Sequence, residues 1–210
     1  MARSKSSGEW LQRHVSDPFV KQAQKEGYRS RAAYKLIQLN ERDRFLQANT
    51  LVVDLGSAPG GWSQVAGRIV GKRGRVVATD ILPMDALPNV EFIQGDFTEE
   101  AVLAQVLEAL GNKKPEVVIC DIAPNISGID SSDQAKSMYL IELALDMVRQ
   151  TLKSGGTFVV KVFQGVGSEQ YLKDVRKSFG KVSIRKPDAS RAESREVYFV
   201  AKEFKPGAQT

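Results

Sequence analysis

A glycine-rich segment bounded by acids is the part of this chain best suited to chemistry. The run Leu51–Leu55 ends in Asp54-Leu55-Gly56-Ser57-Ala58-Pro59-Gly60-Gly61-Trp62, and a helical stretch follows. Gly56, Gly60 and Gly61 allow a tight turn and let a ligand approach backbone N–H groups closely. Between a strand and a helix N-terminus, such a loop reads as a nucleotide-type site. The spacing is not GxGxxG, however, and Asp54 would repel a pyrophosphate. An acid there suits the positive amino-acid end of S-adenosylmethionine, by contact or by fixing the loop. A merely tight turn would show the same glycines. Asp80 ends the next strand-like run, about 20 residues on, where an acid can accept from ribose hydroxyls. Asp96, in Gly95-Asp96-Phe97, is placed to accept from an adenine amino group. Any one of these aspartates could be a turn residue, but three strand-end acids beside one loop are harder to explain that way. Trp62 is expected at the pocket wall, although core packing is the commoner fate of a tryptophan. Cys120 reads as an inert buried thiol.

Two lysines stand where the pattern asks for hydrocarbon. Lys161 interrupts Phe158-Val159-Val160-Lys161-Val162-Phe163, and Lys35 falls between Tyr34 and Leu36 on the apolar side of a helical stretch. A lysine buried in a strand must reach a partner or an open cleft. A lone lysine more often snorkels to the surface. Nearby in the pattern, one strand-like run closes on Asp121-Ile122-Ala123-Pro124-Asn125, and the last opens with Ser194-Arg195-Glu196-Val197.

The elements that would hold these residues alternate between β and α. Ser16 or Asp17 can cap a helix that Gly27 stops, and Ser30 can cap a second through about residue 45, with Ala33, Leu36, Ile37 and Leu39 as its apolar stripe. Strands are predicted at 51–55, 75–80, 90–96, 116–121 and 156–163, with helices after the glycine loop and over 98–110 (capped by Thr98, stopped by Gly111), about 133–152 and 168–179. Two further strands, around 182–187 and 195–204, close the chain without a helix between them. This order predicts a Rossmann-like α/β fold, a seven-stranded, mostly parallel sheet with an antiparallel last strand and helices on both faces. Ligands in such sheets bind at the carboxyl ends of the strands, and the polar residues that end these strands look like such a site. Residues 11–204 are read as one domain carrying N-terminal RNA-binding helices at about 16–45, with flexible ends at 1–10 and 205–210.

Composition narrows the function classes. The 210 residues are 42% hydrophobic and 26% charged, ordinary for a globular protein. No apolar run approaches the roughly 20 residues of a membrane span, and no N-terminal signal is visible, so a cytoplasmic location with no membrane partner is expected. One cysteine and one histidine, His14, leave no recognisable metal site and no internal disulfide. The net charge of +5 divides unevenly, with residues 1–50 at +5, 51–149 at −6 and 150–210 at +6. Basic ends around an acidic centre attract phosphate backbones, although a solvated surface would look alike.

Together the segments RSRAAYKL, VVDLGSAPGGWSQ, ILPMD, QGDF, DIAPNISG, MYLIELAL, FVVKVFQG and RKPDASRAESREVY resemble the FtsJ/RrmJ (RlmE) family of ribosomal RNA ribose 2′-O-methyltransferases. The resemblance runs in family order from about residue 10 to 202, and the lack of added domains points to the bacterial-type enzyme of the large subunit. It implies a Lys-Asp-Lys-Glu tetrad at Lys35, Asp121, Lys161 and Glu196, with Lys161 as base or activator of a 2′-hydroxyl and Asp121 also at the cofactor. It implies S-adenosylmethionine as cofactor and a uridine of the peptidyl-transferase-centre A-loop of 23S rRNA as target, met in the 50S particle by a monomeric enzyme. A free amine could take the hydroxyl proton, which burial and a second cation favour and carboxylates oppose. A charged amine could instead stabilise the developing alkoxide. Much of the acceleration could come from aligning oxygen, methyl and sulfur.

Arg29 and Arg31 near the first helices, and Arg185, Lys186, Arg191 and Arg195 near the end, are candidate RNA contacts if both ends flank the cleft. Requiring a 2′-hydroxyl would exclude DNA. Rival readings are a 2′-O-methyltransferase of tRNA or an mRNA cap, an NAD-dependent oxidoreductase (disfavoured by the absent GxGxxG) and a noncatalytic ribosome-assembly module that binds RNA.

Overall fold

The computed structural model describes residues 17–111, 113–124 and 130–207. The expected flexible segment 1–10, the chain end beyond 207, Ser16, His14 and Asn125 lie outside them.

Seven strands form one sheet in the order β3-β2-β1-β4-β5-β7-β6. They are β1 (Leu51–Leu55), β2 (Arg75–Asp80), β3 (Val90–Gln94), β4 (Val117–Cys120), β5 (Thr157–Phe163), β6 (Phe179–Arg185) and β7 (Glu196–Phe204). The first five pair in parallel, and β7 runs antiparallel between β5 and β6. This is the sheet the alternating pattern predicts. The central strands β1 and β4 are buried along their whole length, as expected when helices cover both faces. Strand order reverses between β1 and β4, which opens a crevice at their carboxyl ends.

Helices α1 (Pro18–Glu26), α2 (Ala32–Asp43) and α3 (Gly61–Val70) precede β2; α4 (Glu100–Leu110), α5 (Asp130–Thr151) and α6 (Ser168–Ser178) follow β3, β4 and β5. Two apolar clusters separate them into layers. Val53, Leu55, Val118, Val160 and Phe199 point toward α4, α5 and α6, whereas Val52, Ile119, Val159 and Val200 point toward α2 and α3. Side chains alternate along a strand, so Asp54, Lys161, Glu196 and Tyr198 all fall on the α2/α3 face. That face is where Lys35 comes down from α2.

The local stops and starts have clear causes. Asp17 caps α1 by accepting from Phe19 N at 3.0 Å, and Gly27 ends it at φ 71°. Gly111 ends α4 at φ 63°. Two expected caps are corrected. Ser30 does not cap α2; its hydroxyl lies against Gly61, where α2 packs on the glycine loop. Thr98 does not cap α4, which starts after Glu99; its N–H and hydroxyl both donate to Asp96 Oδ1, in a turn that ends before the helix begins.

Candidate active site

At the carboxyl ends of β1, β2 and β4 lies a cleft of about 360 Å³, lined by Gly56, Asp80, Asp96 and Asp121 among its polar groups and by Phe97 and Ile122 among its apolar ones. Gly56 must be glycine. It sits at φ 74°, and a Cβ there would come within 2.6 Å of the Ile122 side chain. Asp80 accepts from Ala58 N at 2.9 Å and Leu82 N at 2.8 Å, which ties the loops after β1 and β2 together. Both bonds that Asp96 accepts from Thr98 fall on Oδ1. Ile81 and Leu82 line the same cleft and expose more than half of their surface. Nothing in the periodicity singled these two out, because they follow the strand rather than belong to it.

Asp54 lies behind the cleft wall, with no exposed surface. Ser63, in the first turn of α3, donates to its Oδ2 at 2.6 Å, while Oδ1 has no partner. Burial raises this carboxyl to about 7, and the Asp121 and Asp80 charges add to the rise against the Ser63 bond. An unpartnered buried oxygen of this kind has capacity for a cationic group.

The other loop residues do different work from that expected. A Cβ at Gly60 would meet the Arg29 guanidinium at 2.8 Å, and one at Gly61 would collide with Ser30. These glycines let the segment before α2 pack on the loop, and neither lines the cleft. Trp62 also leaves the cleft wall. It is buried, its indole N–H donates to Ala32 O at 2.9 Å, and its ring lies 5.7 Å from that of Tyr198. A large indole in the first turn of α3 fills the space between α2 and the sheet, which a cleft position would leave empty.

The four tetrad residues meet beside the cleft as two ion pairs. Lys161 Nζ lies 3.1 Å from Asp121 Oδ1 and donates to Asp121 O at 2.8 Å. Lys35 Nζ lies 2.6 Å from Glu196 Oε1. Lys35, Lys161 and Glu196 are buried, and Asp121 is the member that also lines the cleft. Tyr198, which sequence reasoning missed, joins the pairs. Its hydroxyl donates to Asp121 Oδ1 at 2.9 Å, and Lys35 Nζ stands 5.7 Å from its ring centroid. Burial and the adjoining Asp121 and Glu196 charges keep that phenol protonated, raising it well above its ordinary value. The pairing of Lys161 with Tyr198 across β5 and β7, and of Phe163 with Glu196, sets this geometry. Alternation places Tyr198 on the tetrad face, but only the register, which a sequence does not print, brings it to Lys161.

The candidate RNA contacts divide. Arg29 donates to Pro59 O, Asp85 O and Ala86 O, holding the loop after β2. Arg31 donates to Ala189 O at 2.6 Å and pairs with Asp17 at 3.1 Å. Arg185 grips Asp43 with two nitrogens at 2.8 and 2.9 Å. These three guanidiniums are engaged with the protein itself, a structural role that sequence reasoning did not foresee. Lys186 and Arg195 are exposed and Arg191 is half-buried, although Lys186 donates to Ala192 O and Ser194 O. Among the described residues no group of three or more His, Cys, Asp or Glu could hold a metal, and no helix is long and apolar enough to cross a membrane.

Comparison with known proteins places this arrangement in a setting. The model of the FtsJ-like methyltransferase family matches residues 28–204. A curated relative from Stutzerimonas stutzeri, named ribosomal RNA large subunit methyltransferase E, is 67% identical over 98% of this chain and 100% of its own. A relative of the same name from Cellvibrio japonicus is 60% identical over 100% of this chain and 99% of its own. Among solved structures, one described as a ribosomal RNA methyltransferase from Plasmodium falciparum superposes with a TM-score of 0.76 at 33% identity, covering 84% of this chain and 98% of that one.

Proposed function

Because the chain belongs to the FtsJ-like methyltransferase family, we propose that it methylates the ribose 2′-hydroxyl of a uridine in the A-loop of 23S rRNA. S-adenosylmethionine would be the methyl donor, the 50S particle the substrate, and the enzyme a cytoplasmic monomer. The observation that carries this reading is Asp121, which lines the cleft and holds Lys161 at 3.1 Å. A group bound in the cleft and a hydroxyl held by the lysines therefore share one wall.

The residues present fit the donor. Asp80 and Asp96 offer acceptors to a ribose and an amino group, while Ile81, Leu82, Phe97 and Ile122 offer apolar surface to a flat base. The orphan oxygen of Asp54 marks a place behind the glycine loop where positive charge is welcome. When bound, S-adenosylmethionine supplies an electrophilic methyl group on a sulfonium. The protein's task is then to hold the incoming oxygen in line and dispose of its proton.

Lys161 is the group placed for that task. Asp121 fixes its amine by two contacts from a rigid strand end, and the Tyr198 hydroxyl fixes Asp121 in turn. An ammonium so held would donate to the 2′-oxygen and stabilise the negative charge that develops as the hydroxyl proton passes to water. As a free amine it would take that proton itself. Lys35 and Glu196 form the second pair of the same group, so the tetrad's two cations and two carboxylates balance. Removal of Asp121, Lys35 or Glu196 leaves a buried charge without its counterion, and removal of Lys161 leaves the partly exposed Asp121 without its cation.

The test compares methyl transfer from labelled S-adenosylmethionine to undermethylated 50S particles, naked 23S rRNA, tRNA and capped RNA. The expected product is one 2′-O-methyluridine in 23S rRNA, formed best on the particle. Preference for tRNA or capped RNA overturns the assignment.

A further inference from the structure

The amino ends of β1, β2 and β4, opposite the cleft, carry a groove of about 1060 Å³, between the turn from α3 to β2, the end of α4 and the segment entering β4. Several of its charges are already balanced. Lys153 pairs with Glu116 at 3.0 Å, and Glu116 also accepts from Leu51 N at 2.8 Å. Arg75 pairs with Glu91 at 3.3 Å and donates to Ala109 O. The exposed side chains of Arg73, Lys113 and Lys114 are left with no hydrogen bond or ion pair among the described residues. Of the two lining acids, Glu116 is paired and Glu108 makes no ion pair among the described residues. These three cations are drawn from the middle of the chain, which is otherwise acidic.

The chemistry of the lining narrows the occupant. None of the exposed large hydrophobic residues lines the groove. Protein interfaces are anchored by such residues, so an acidic protein partner is a poor fit. A single small anion is also poorly served. The three cations are spread over two segments, the turn after α3 and the stretch after α4, and do not converge on one point. Separate cations along an open, polar groove match successive phosphates of a nucleic-acid backbone.

We propose that this groove docks a second RNA segment of the large-subunit particle by its phosphates, away from the nucleotide being methylated. Strand β1 separates groove from cleft, and its five residues span roughly 16 Å. One nucleotide cannot occupy both places, so the enzyme would read its substrate from two sides. The inference rests on the proposed action on ribosomal RNA.

Steady-state methylation of undermethylated 50S particles tests it, with wild type, Arg73→Ala/Lys113→Ala/Lys114→Ala and the charge-preserving Arg73→Lys/Lys113→Arg/Lys114→Arg. The expected result for the alanine variant is a KM for the particle raised about tenfold near 0.15 M salt, with kcat within about twofold of wild type. The dependence of log KM on log salt should flatten by about 2–3, as three fewer phosphate contacts require. The charge-preserving variant should restore both. An unchanged KM and salt slope in the alanine variant overturns the groove while leaving the functional reading intact. A wild-type protein that transfers no methyl group to any large-subunit RNA overturns that reading instead.

Discussion

Replacing Lys161 by alanine removes the amine that Asp121 holds at 2.8 and 3.1 Å, in a side chain only 7% exposed. Two losses follow, of different kinds. Asp121 loses its counterion but keeps the Tyr198 hydroxyl at 2.9 Å. Breaking a buried pair costs about 3–5 kcal/mol, and the remaining hydrogen bond and the open side of Asp121 should bring the stability loss to the lower end of that range. For the reaction, loss of a group acting as base or as electrostatic device lowers kcat by about 10²–10⁴, or roughly 3–5 kcal/mol of barrier. Cofactor affinity should change by less than about threefold, because Lys161 does not line the cleft. Single-turnover transfer of labelled methyl to 50S particles gives the first quantity, calorimetric titration with S-adenosylhomocysteine the second, and thermal unfolding guards against a misfolded variant. Lys161→Arg then separates the two roles, since a guanidinium keeps its charge and cannot act as a base. Activity of Lys161→Ala within about tenfold of wild type would refute the placement of this amine at the reacting oxygen.

Asp80→Ala should show the opposite division. It removes the acceptor of Ala58 N and Leu82 N along with a cleft carboxylate, so S-adenosylhomocysteine affinity should fall about 10–100-fold, whereas kcat at saturating donor stays within a few-fold. A normal affinity by calorimetry would remove Asp80 from the binding site. Asp54 predicts a pH dependence of stability. Its carboxyl holds a proton up to about 7 when folded, against 3.8 as an ordinary aspartate. Folding therefore takes up a proton between these values, and the stability from this group is full below about pH 4 and lost as pH rises toward 7. Thermal unfolding of Asp54→Asn between pH 5 and 8 should lack that decline and exceed wild type at pH 8. Parallel pH profiles for the two proteins would mean that Asp54 does not titrate in this way.

The glycine loop, the three strand-end aspartates and the two misplaced lysines were legible because each breaks a local rule. A lysine in VVKVF or an aspartate at the end of LVVDL is conspicuous against its own segment. The sheet was legible for a related reason, since alternating β and α runs allow few topologies. Residues whose roles depend on register or on a distant neighbour were not. Tyr198 looks like any aromatic in a buried strand until β5 and β7 align it with Lys161. Trp62, Gly60 and Gly61 looked like parts of a ligand loop, but their neighbours are Ala32, Arg29 and Ser30, more than 25 residues earlier in the chain. Spacing along the chain carries no information about such contacts.

The basic ends of the chain show most clearly how composition and structure part company. Charge alone suggested a phosphate-binding surface. Arg185 instead clamps Asp43, Arg31 holds Asp17 and Ala189 O, and Gln38 accepts from Ala189 N at 3.0 Å. Arg191 approaches the same Asp17 carboxylate at 4.0 Å. Apart from the Arg31–Asp17 pair, these bonds tie the end of β6 and the segment between β6 and β7 to α2 and to the residues that open α1 and α2, and that segment leads directly into Glu196. The Glu196 carboxylate must reach Lys35 on α2 at 2.6 Å, across a sequence separation that no local preference bridges. The arginines close that gap. A good share of the positive charge that makes the chain look like an RNA binder thus assembles the catalytic group, and the cations left without such partners, Arg73, Lys113 and Lys114 among them, are the ones with capacity for phosphate.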